Sequence, residues 1–359
     1  MAKFIPGLQL SRLYYTEAVA PILKRNFPNL EYAAGRIDKG SDVLGFDTAR
    51  SRDHDWGPRV QLFLLEKDSK LKSKIDNALK RELPAAFHDY PTDFGAPDEE
   101  NVRAMGNGKQ GNIKHYIEIT TIKQFFNKYL NIDPYRNLTF VEWLILPEQR
   151  LLTIAKGKLF YDSIGLSKIK QRFDYYPRDV WLYLLASQWN MISPEEAFVG
   201  RAGEVGDEVG SKIIAVRTVE NLMKLCFLME KEYAPYSKWF GTAFRQLKYS
   251  KKMLPIFKEV LQARSWKQSE AGLSRTYEEV AKMHNALKIT KPLPTKVTRY
   301  HNRPFMVIHS ELFYKSIQAK IADRRLRNLK LIGSADQFTK LMDLEGYQSL
   351  LRKLEILYK

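Results

Sequence analysis

The sequence predicts an α+β protein, with a strand-bearing module over residues 1–165 and a helical module after it. Three observations carry that reading. Strand and helix patterns alternate up to Gly165, strand signals fade beyond it, and helical periodicity dominates Val209 to Tyr233, Phe257 to Trp266 and Tyr277 to Leu287. With 359 residues, 44% of them hydrophobic, the chain is long enough for two or three packed modules.

The opening helix runs from about Leu10 to Phe27, with Leu13, Val19, Ile22 and Leu23 at helical spacing, and Pro28-Asn29 stops it. Tyr32 to Ile37 is a short strand that runs into Lys39-Gly40-Ser41, and Arg59 to Leu65 is a stronger one, rich in β-formers. Leu71 to Leu83 reads as a charged amphipathic helix. Pro84 and the polar stretch from His88 to Asn112 then give a long loop holding Gly95, Pro97, Gly106, Gly108 and Gly111, of a length that usually either serves function or is mobile. His115 to Thr121 alternates like a strand, and Lys158 to Asp162 reads as another, closed by the turn Ser163-Ile164-Gly165. In the second module Ser193-Pro194-Glu195-Glu196 carries the marks of a helix start, with Ser at the cap, Pro at the first helical position and Glu closing a capping box. Pro292-Leu293-Pro294 breaks the chain again, so three segments are expected: residues 1–165, 166–290, and a basic helical segment over 291–359 with Lys320, Arg324, Arg325, Arg327 and Lys330.

The single cysteine, Cys226, sits in an apolar run; an intrachain disulfide and a cysteine cluster for zinc are both excluded, and a buried thiol in a reducing compartment is expected. The N-terminus lacks the apolar core of a signal peptide, and no run approaches the roughly twenty apolar residues that span a bilayer. A soluble cytoplasmic protein is the expectation. The formal net charge of +17 favours polyanionic partners such as nucleotides, RNA or DNA without choosing among them.

The chemistry concentrates between the first two strands. Gly40-Ser41 offers backbone N–H groups and a hydroxyl, with a glycine that lets phosphate oxygens approach closely. Asp53-His54-Asp55 precedes the second strand. Residues two apart on a strand face the same way, so Asp53 and Asp55 are expected to present both carboxylates to one site while His54 points opposite as a packing residue. Paired carboxylates suit Mg²⁺, which takes oxygen ligands from protein, water and phosphate.

Gly40-Ser41-Asp42-Val43-Leu44-Gly45, continuing through Ser51-Arg52 into Asp53-His54-Asp55, resembles the signature of the DNA polymerase β-like nucleotidyltransferase superfamily. The resemblance covers about the first 165 residues and implies that superfamily's mixed sheet. It also implies a third carboxylate from a neighbouring strand: Glu118 is the preferred match, and Asp162, in an aromatic-Asp-x-x-Gly turn similar to that of aminoglycoside-type adenylyltransferases, is the competitor. His54 and Trp56 depart from the superfamily pattern, as does the long separation between Asp55 and Glu118. More closely, the chain looks like a bacterial family of nucleotidyltransferase-like proteins of unknown function, through Ser51 to Arg59, Phe198-Val199-Gly200-Arg201, Gly206-Asp207-Glu208 and Ala234 to Trp239.

The helical module carries a polar cluster of Arg201, Asp207, Glu208, Arg217, Tyr236 and Lys238. By analogy with two-module relatives, Lys238 or Arg201 would contact phosphate and Asp207 or Glu208 would act as base for the acceptor hydroxyl; the bland alternative is that these charges brace helices. The expected function is a Mg²⁺-dependent nucleotidyltransferase that moves AMP from ATP, or another nucleoside monophosphate from its triphosphate, to a hydroxyl of a small molecule or RNA, releasing pyrophosphate. The alternative is a nucleic-acid-binding or regulatory protein on an inactive scaffold of this kind; a third possibility joins the two as an active transferase that modifies RNA, with Tyr300 beside Arg299, His301 and Arg303 stacking bases or simply forming a packed loop.

Overall fold

The computed structural model describes residues 4–53, 55–96, 98, 99, 102–106, 113–339 and 346–359. The expectations that fall on His54, Pro97, Gly108 and Gly111 lie outside the described residues. The protein is α+β and divides into two compact units, Met1–Asn137 with Arg150–Asp174, and Leu138–Gln149 with Tyr175–Lys359. The boundary drawn after residue 165 falls inside the first unit, and residues 291–359 belong to the second.

In the first unit, α1 (Gly7–Tyr14) runs through a π-helical turn (Tyr15–Val19) into α2 (Ala20–Asn26). There follow β1 (Tyr32–Arg36), α3 (Ser41–Leu44), β2 (Arg59–Leu64), α4 (Lys72–Glu82), the small strands β3 (Ala86–Phe87) and β4 (Tyr90–Pro91), β5 (Tyr116–Thr121), α5 (Ile122–Leu130), β6 (Lys158–Asp162) and α6 (Leu166–Gln171). Four strands form a mixed sheet in the order β5-β2-β1-β6, with β1 antiparallel to both neighbours and β2 parallel to β5.

The sheet's two faces follow from alternation. Val60, Leu62 and Leu64 of β2 and Ile117 and Ile119 of β5 share one cluster with Leu10, Val19, Ile22, Leu23, Ile75 and Leu79 from α1, α2, the π-turn and α4. Each such side chain stabilises the fold by roughly 1.5–3 kcal/mol through burial. The alternate positions, Arg59 and Gln61 on β2 and Tyr116 and Glu118 on β5, therefore fall on the opposite face. The register pairs Arg59 with Tyr116 and Gln61 with Glu118, which puts the four polar residues side by side.

The second unit is mostly helical: α7 (Arg178–Ile192), α8 (Phe198–Glu204), α9 (Glu208–Glu230), α10 (Ser237–Phe244), α11 (Ser250–Gln262), α12 (Trp266–Ala286), α13 (Ser310–Gln318) and α14 (Arg324–Asn328), with a two-stranded hairpin of β7 (Thr298–Arg299) and β8 (Met306–Val307). It is centred on α7, whose side chains from Val180 to Trp189 are all buried. Trp189 stacks on Phe313 at 4.3 Å between ring centroids, and Trp181 donates its Nε1–H to Leu228 O at 2.7 Å. On α8, a side chain at Gly203 would meet the Trp266 ring at 2.0 Å, so only glycine allows that approach. Cys226 is buried as expected, and burial pushes its thiol pKa up.

Two expectations need correction. Ser193-Pro194-Glu195 is a 3₁₀ turn continuing directly from α7, with no side-chain cap. Because the chain is already helical there, Ser193 has no exposed helix start to cap, and the Glu196 carboxylate instead accepts N–H bonds from Ile308, His309 and Ser310. The basic C-terminal segment is helical in short pieces, among them α13 and the five residues of α14, which Asp323 caps by accepting from Arg325 and Leu326 N at Oδ1. The helix read as Phe257 to Trp266 ends at Gln262, and α12 begins at Trp266 with Ser265 as its cap. Among the described residues no helix is long and apolar enough to cross a membrane.

Candidate functional site

The site grows from the turn that leaves β1. Arg36, at the end of that strand, is only 1% exposed, and a buried guanidinium requires carboxylate partners. Asp38 and the equally buried Asp42 supply them, the latter at 3.2 Å. Gly40 lies between them at φ 153°, where a Cβ would fall 2.0 Å from Asp42 Oδ1 and 2.9 Å from Arg36 Nη2. The Gly-Ser turn is thus moulded around an Arg–Asp pair. Ser41 follows as the first residue of α3, partly exposed.

Asp53 and Asp55 do not lie on β2. They occupy the irregular segment before it, and Asp55 has a positive φ of 47°, so the alternation expected for a strand does not operate and the inferred common facing of the two carboxylates is corrected. Asp55 is instead fixed from several sides. Its Oδ1 accepts from Tyr116 Oη at 2.8 Å and from Arg103 N at 3.3 Å, and its Oδ2 faces Lys39 Nζ at 3.1 Å. Its N–H donates to Arg103 O at 2.8 Å, and its carbonyl accepts from the Arg59 guanidinium. Arg59, buried, lies 4.1 Å from the centroid of the Tyr116 ring and 3.7 Å from Asp38. Lys39, next to the Gly-Ser turn, so connects that turn to Asp55, and Tyr116 connects Asp55 to β5.

Two residues further along β5, Glu118 accepts from Gln61 Nε2 at 3.1 Å and pairs with Lys128 at 2.9 Å. Gln61 is oriented by accepting from Ile37 N at 2.8 Å. Burial pushes the Asp55 carboxyl up, but Arg59, the Tyr116 hydroxyl and Lys39 outweigh it and hold the group below the ordinary carboxylate range. For Glu118, burial is likewise outweighed by Lys128, Gln61 and Arg59. Both are anionic at neutral pH. Asp162, the competing third carboxylate, accepts from the N–H groups of Ile164, Gly165, Leu166 and Ser167, and so shapes the entry to α6.

By donor type these residues suit a hard divalent cation: ionised carboxylates whose other counter-charges, Lys39 and Lys128, are on side chains 58% and 77% exposed that can swing away. Among the described residues, however, no group of three or more His, Cys, Asp or Glu converges to hold a metal ion. Asp53 is exposed, and Asp55 and Glu118 stand as separate anionic positions on neighbouring elements. Sequence reasoning missed Asp38, Asp42, Tyr116 and Arg103. The only signal for them was their closeness to the motif or to a strand, and their roles depend on register. Asp47, also missed, accepts from Gly7 N at 2.7 Å and Trp56 Nε1 at 2.9 Å.

The candidates in the second unit have local partners. Asp207 caps α9, accepting from Gly210 N at 2.7 Å, and Glu208 accepts from Trp266 N at 3.1 Å. Arg217 pairs with Glu195 at 2.5 Å. Arg201 and Lys238 are exposed cations lying over the rings of Phe198 and Trp239, at 5.5 and 5.3 Å.

Residues 143–240 match the family described as a domain of unknown function, DUF4037. That stretch includes three of the four segments behind the resemblance to a nucleotidyltransferase-like family and omits the one from Ser51 to Arg59. No curated protein matches the chain. A solved structure described as a nucleotidyltransferase-like protein from Exiguobacterium sibiricum 255-15 aligns over 87% of this chain and 88% of its own, with 9% identity and a TM-score of 0.33.

Proposed function

We propose that the first unit binds a nucleoside triphosphate and transfers its nucleoside monophosphate, with AMP from ATP as the simplest case, to a hydroxyl acceptor, pyrophosphate leaving. One observation carries the reading: a Gly-Ser turn leaving β1, an ionised Asp55 at the entry to β2 and an ionised Glu118 on β5 are linked through Lys39, Tyr116 and Gln61 along one side of a mixed sheet. Gly40 and Ser41 would receive the β- and γ-phosphates through backbone N–H and hydroxyl donors. Asp53, Asp55 and Glu118, which stand as separate positions and not as one converged set, would each be a carboxylate open to Mg²⁺ arriving with the triphosphate, and that ion when bound supplies charge neutralisation on the phosphates. The chain's own contribution is positioning: Tyr116 and Arg59 lock Asp55, and Gln61 locks Glu118, so little reorganisation is needed when ligand arrives. Within the second unit, Arg201 and Lys238 have no carboxylate partner among the described residues and stay available to an anion. Asp207 and Glu208 are weaker choices for the base, since backbone N–H groups already engage both carboxylates.

The test is calorimetric titration with ATP and Mg²⁺, alongside pyrophosphate release in a cell extract. Asp53→Asn changes an exposed residue and spares the fold, and Asp55→Asn keeps its shape. Loss of binding in both variants, with melting temperatures unchanged within a few degrees, is expected; titrations indistinguishable from the unaltered protein in both would overturn the reading. The net charge of +17, with Lys320, Arg324, Arg325 and Lys330 all exposed, favours a second reading as a nucleic-acid-binding or regulatory protein without transfer. Steeply salt-dependent RNA retention with no pyrophosphate release from any nucleotide would select it.

A further inference from the structure

Among its described residues, the segment between β4 and β5 is moored to the site at Arg103. Its N–H and C=O both bond to Asp55, and its neighbours hold it in place: Gly95 N donates to Ala104 O at 2.9 Å, Phe94 bridges to Met105, and Gly106 N donates to Asp93 O at 2.7 Å. The backbone of residues 102–106 is thereby fixed beside Asp55, and the Arg103 side chain projects from that fixed point to lie 5.1 Å from the Tyr116 ring centroid.

What sets Arg103 apart is its charge balance. Arg36 has Asp38 and Asp42, Arg59 has Asp38, Lys39 has Asp55 and Lys128 has Glu118. Arg103 pairs with no carboxylate among the described residues; its guanidinium lies against the face of Tyr116. Tyr116 in turn has Arg59 4.1 Å from its ring centroid and its hydroxyl on Asp55. Stacking on an aromatic face orients a guanidinium and leaves its N–H edge available for an oxyanion. An oriented, half-buried guanidinium beside Asp55, with no carboxylate partner among the described residues, is suited to a polyphosphate contact.

We infer that Arg103 is an affinity-determining contact for the polyphosphate of the ligand, presented by the segment between β4 and β5 and held in register by Asp55. The inference rests on the nucleotide reading above and assigns within it a residue that the motif does not contain. The substitution Arg103→Ala removes the guanidinium and keeps both backbone bonds to Asp55, so the mooring survives while the contact is lost.

The experiment titrates the unaltered protein, Arg103→Ala and Arg103→Lys with ATP, AMP and inorganic tripolyphosphate in the presence of Mg²⁺, with a thermal melt of each variant. Loss of one charge-assisted contact predicts about a ten- to hundredfold weaker affinity of Arg103→Ala for ATP and tripolyphosphate, AMP affinity within about twofold, and partial recovery in Arg103→Lys. Equal losses for AMP and ATP, or no loss for ATP, would overturn the inference while leaving the nucleotide reading intact. If the unaltered protein binds none of the three probes, the nucleotide reading falls and this inference with it.

Discussion

Asp55 and Glu118 of the first unit and Glu148, Asp336 and Glu196 of the second are treated in opposite ways. In the first, Asp55 and Glu118 face cations and hydroxyl or amide donors and are held below the ordinary carboxylate range. In the second, Glu148 and Asp336 are pushed up by burial: Glu148 accepts only a backbone bond from Ala234, with Asp336 close by as a like charge, and Asp336 accepts from Glu148 N. Glu196, with three backbone donors, is also raised, because burial outweighs the bonds it accepts. Charge is kept ready at Asp55 and Glu118, whereas at Glu148, Asp336 and Glu196 it is suppressed and the oxygens serve as structural acceptors. The difference separates carboxylates able to meet a ligand from those that tie loops together.

The largest expected effect tests the structural side. Glu196→Ala leaves the N–H groups of Ile308, His309 and Ser310 without their acceptor, and at about 1–3 kcal/mol per buried unpaired group the loss is about 3–5 kcal/mol. Denaturant unfolding measures it, and a loss under about 1 kcal/mol would place Glu196 among the ligand-facing carboxylates instead. Asp55→Asn is the converse. Nucleotide affinity is expected to fall by about a hundredfold or more, equivalent to roughly 2.7 kcal/mol, while stability changes less than in Glu196→Ala. A variant that unfolds but still binds would erase the distinction between the units.

The pH dependence sharpens the comparison. Glu148 is pushed up to about 8, so its folded form holds the proton more tightly than the unfolded chain does. Its contribution to stability is present at low pH and is lost as pH rises from about 4.5 towards 8, with a slope of at most about 1.4 kcal/mol per pH unit. Glu148→Gln should flatten that slope in urea titrations run across this window. Asp55 and Glu118, being depressed, act with the opposite sign: their stabilisation is present above the ordinary carboxylate range and disappears as pH falls through their lower folded values. The smallest effect belongs to Lys128→Ala. Its lysine is 77% exposed, so the change in stability should stay under about 1 kcal/mol, and a larger one would mean that Glu118 depends on this pair for its placement.

The sheet was legible because alternation is local. β1, β2, β5 and β6 fall within a residue or two of where β-branched and apolar alternation put them, and the apolar face of β2 could be read from Val60, Leu62 and Leu64. α7 was missed because a helix buried all round has no polar stripe to reveal its period. The motif was legible as residues but not as geometry: Asp55 adopts a positive φ that alternation cannot anticipate, and its partners Tyr116 and Arg103 are 61 and 48 positions away. Asp207 followed by Glu208 looked like a reactive acidic pair, and Ser193-Pro194 looked like a helix start. Each signal was chemically sound, but a cap is needed only where a helix begins, and α9 begins at Asp207 whereas Ser193 ends a helix already under way.

Asp47 gives the connection between β1 and β2 a property of its own. By accepting from Gly7 at the start of α1 and from the Trp56 indole, one carboxylate pins the middle of that connection to the helix that opens the unit. The Gly-Ser and Asp-x-Asp stretch is consequently no portable cassette. Grafted into another sheet without α1 it would lose its anchor, so any transplant of this loop must carry the opening helix with it.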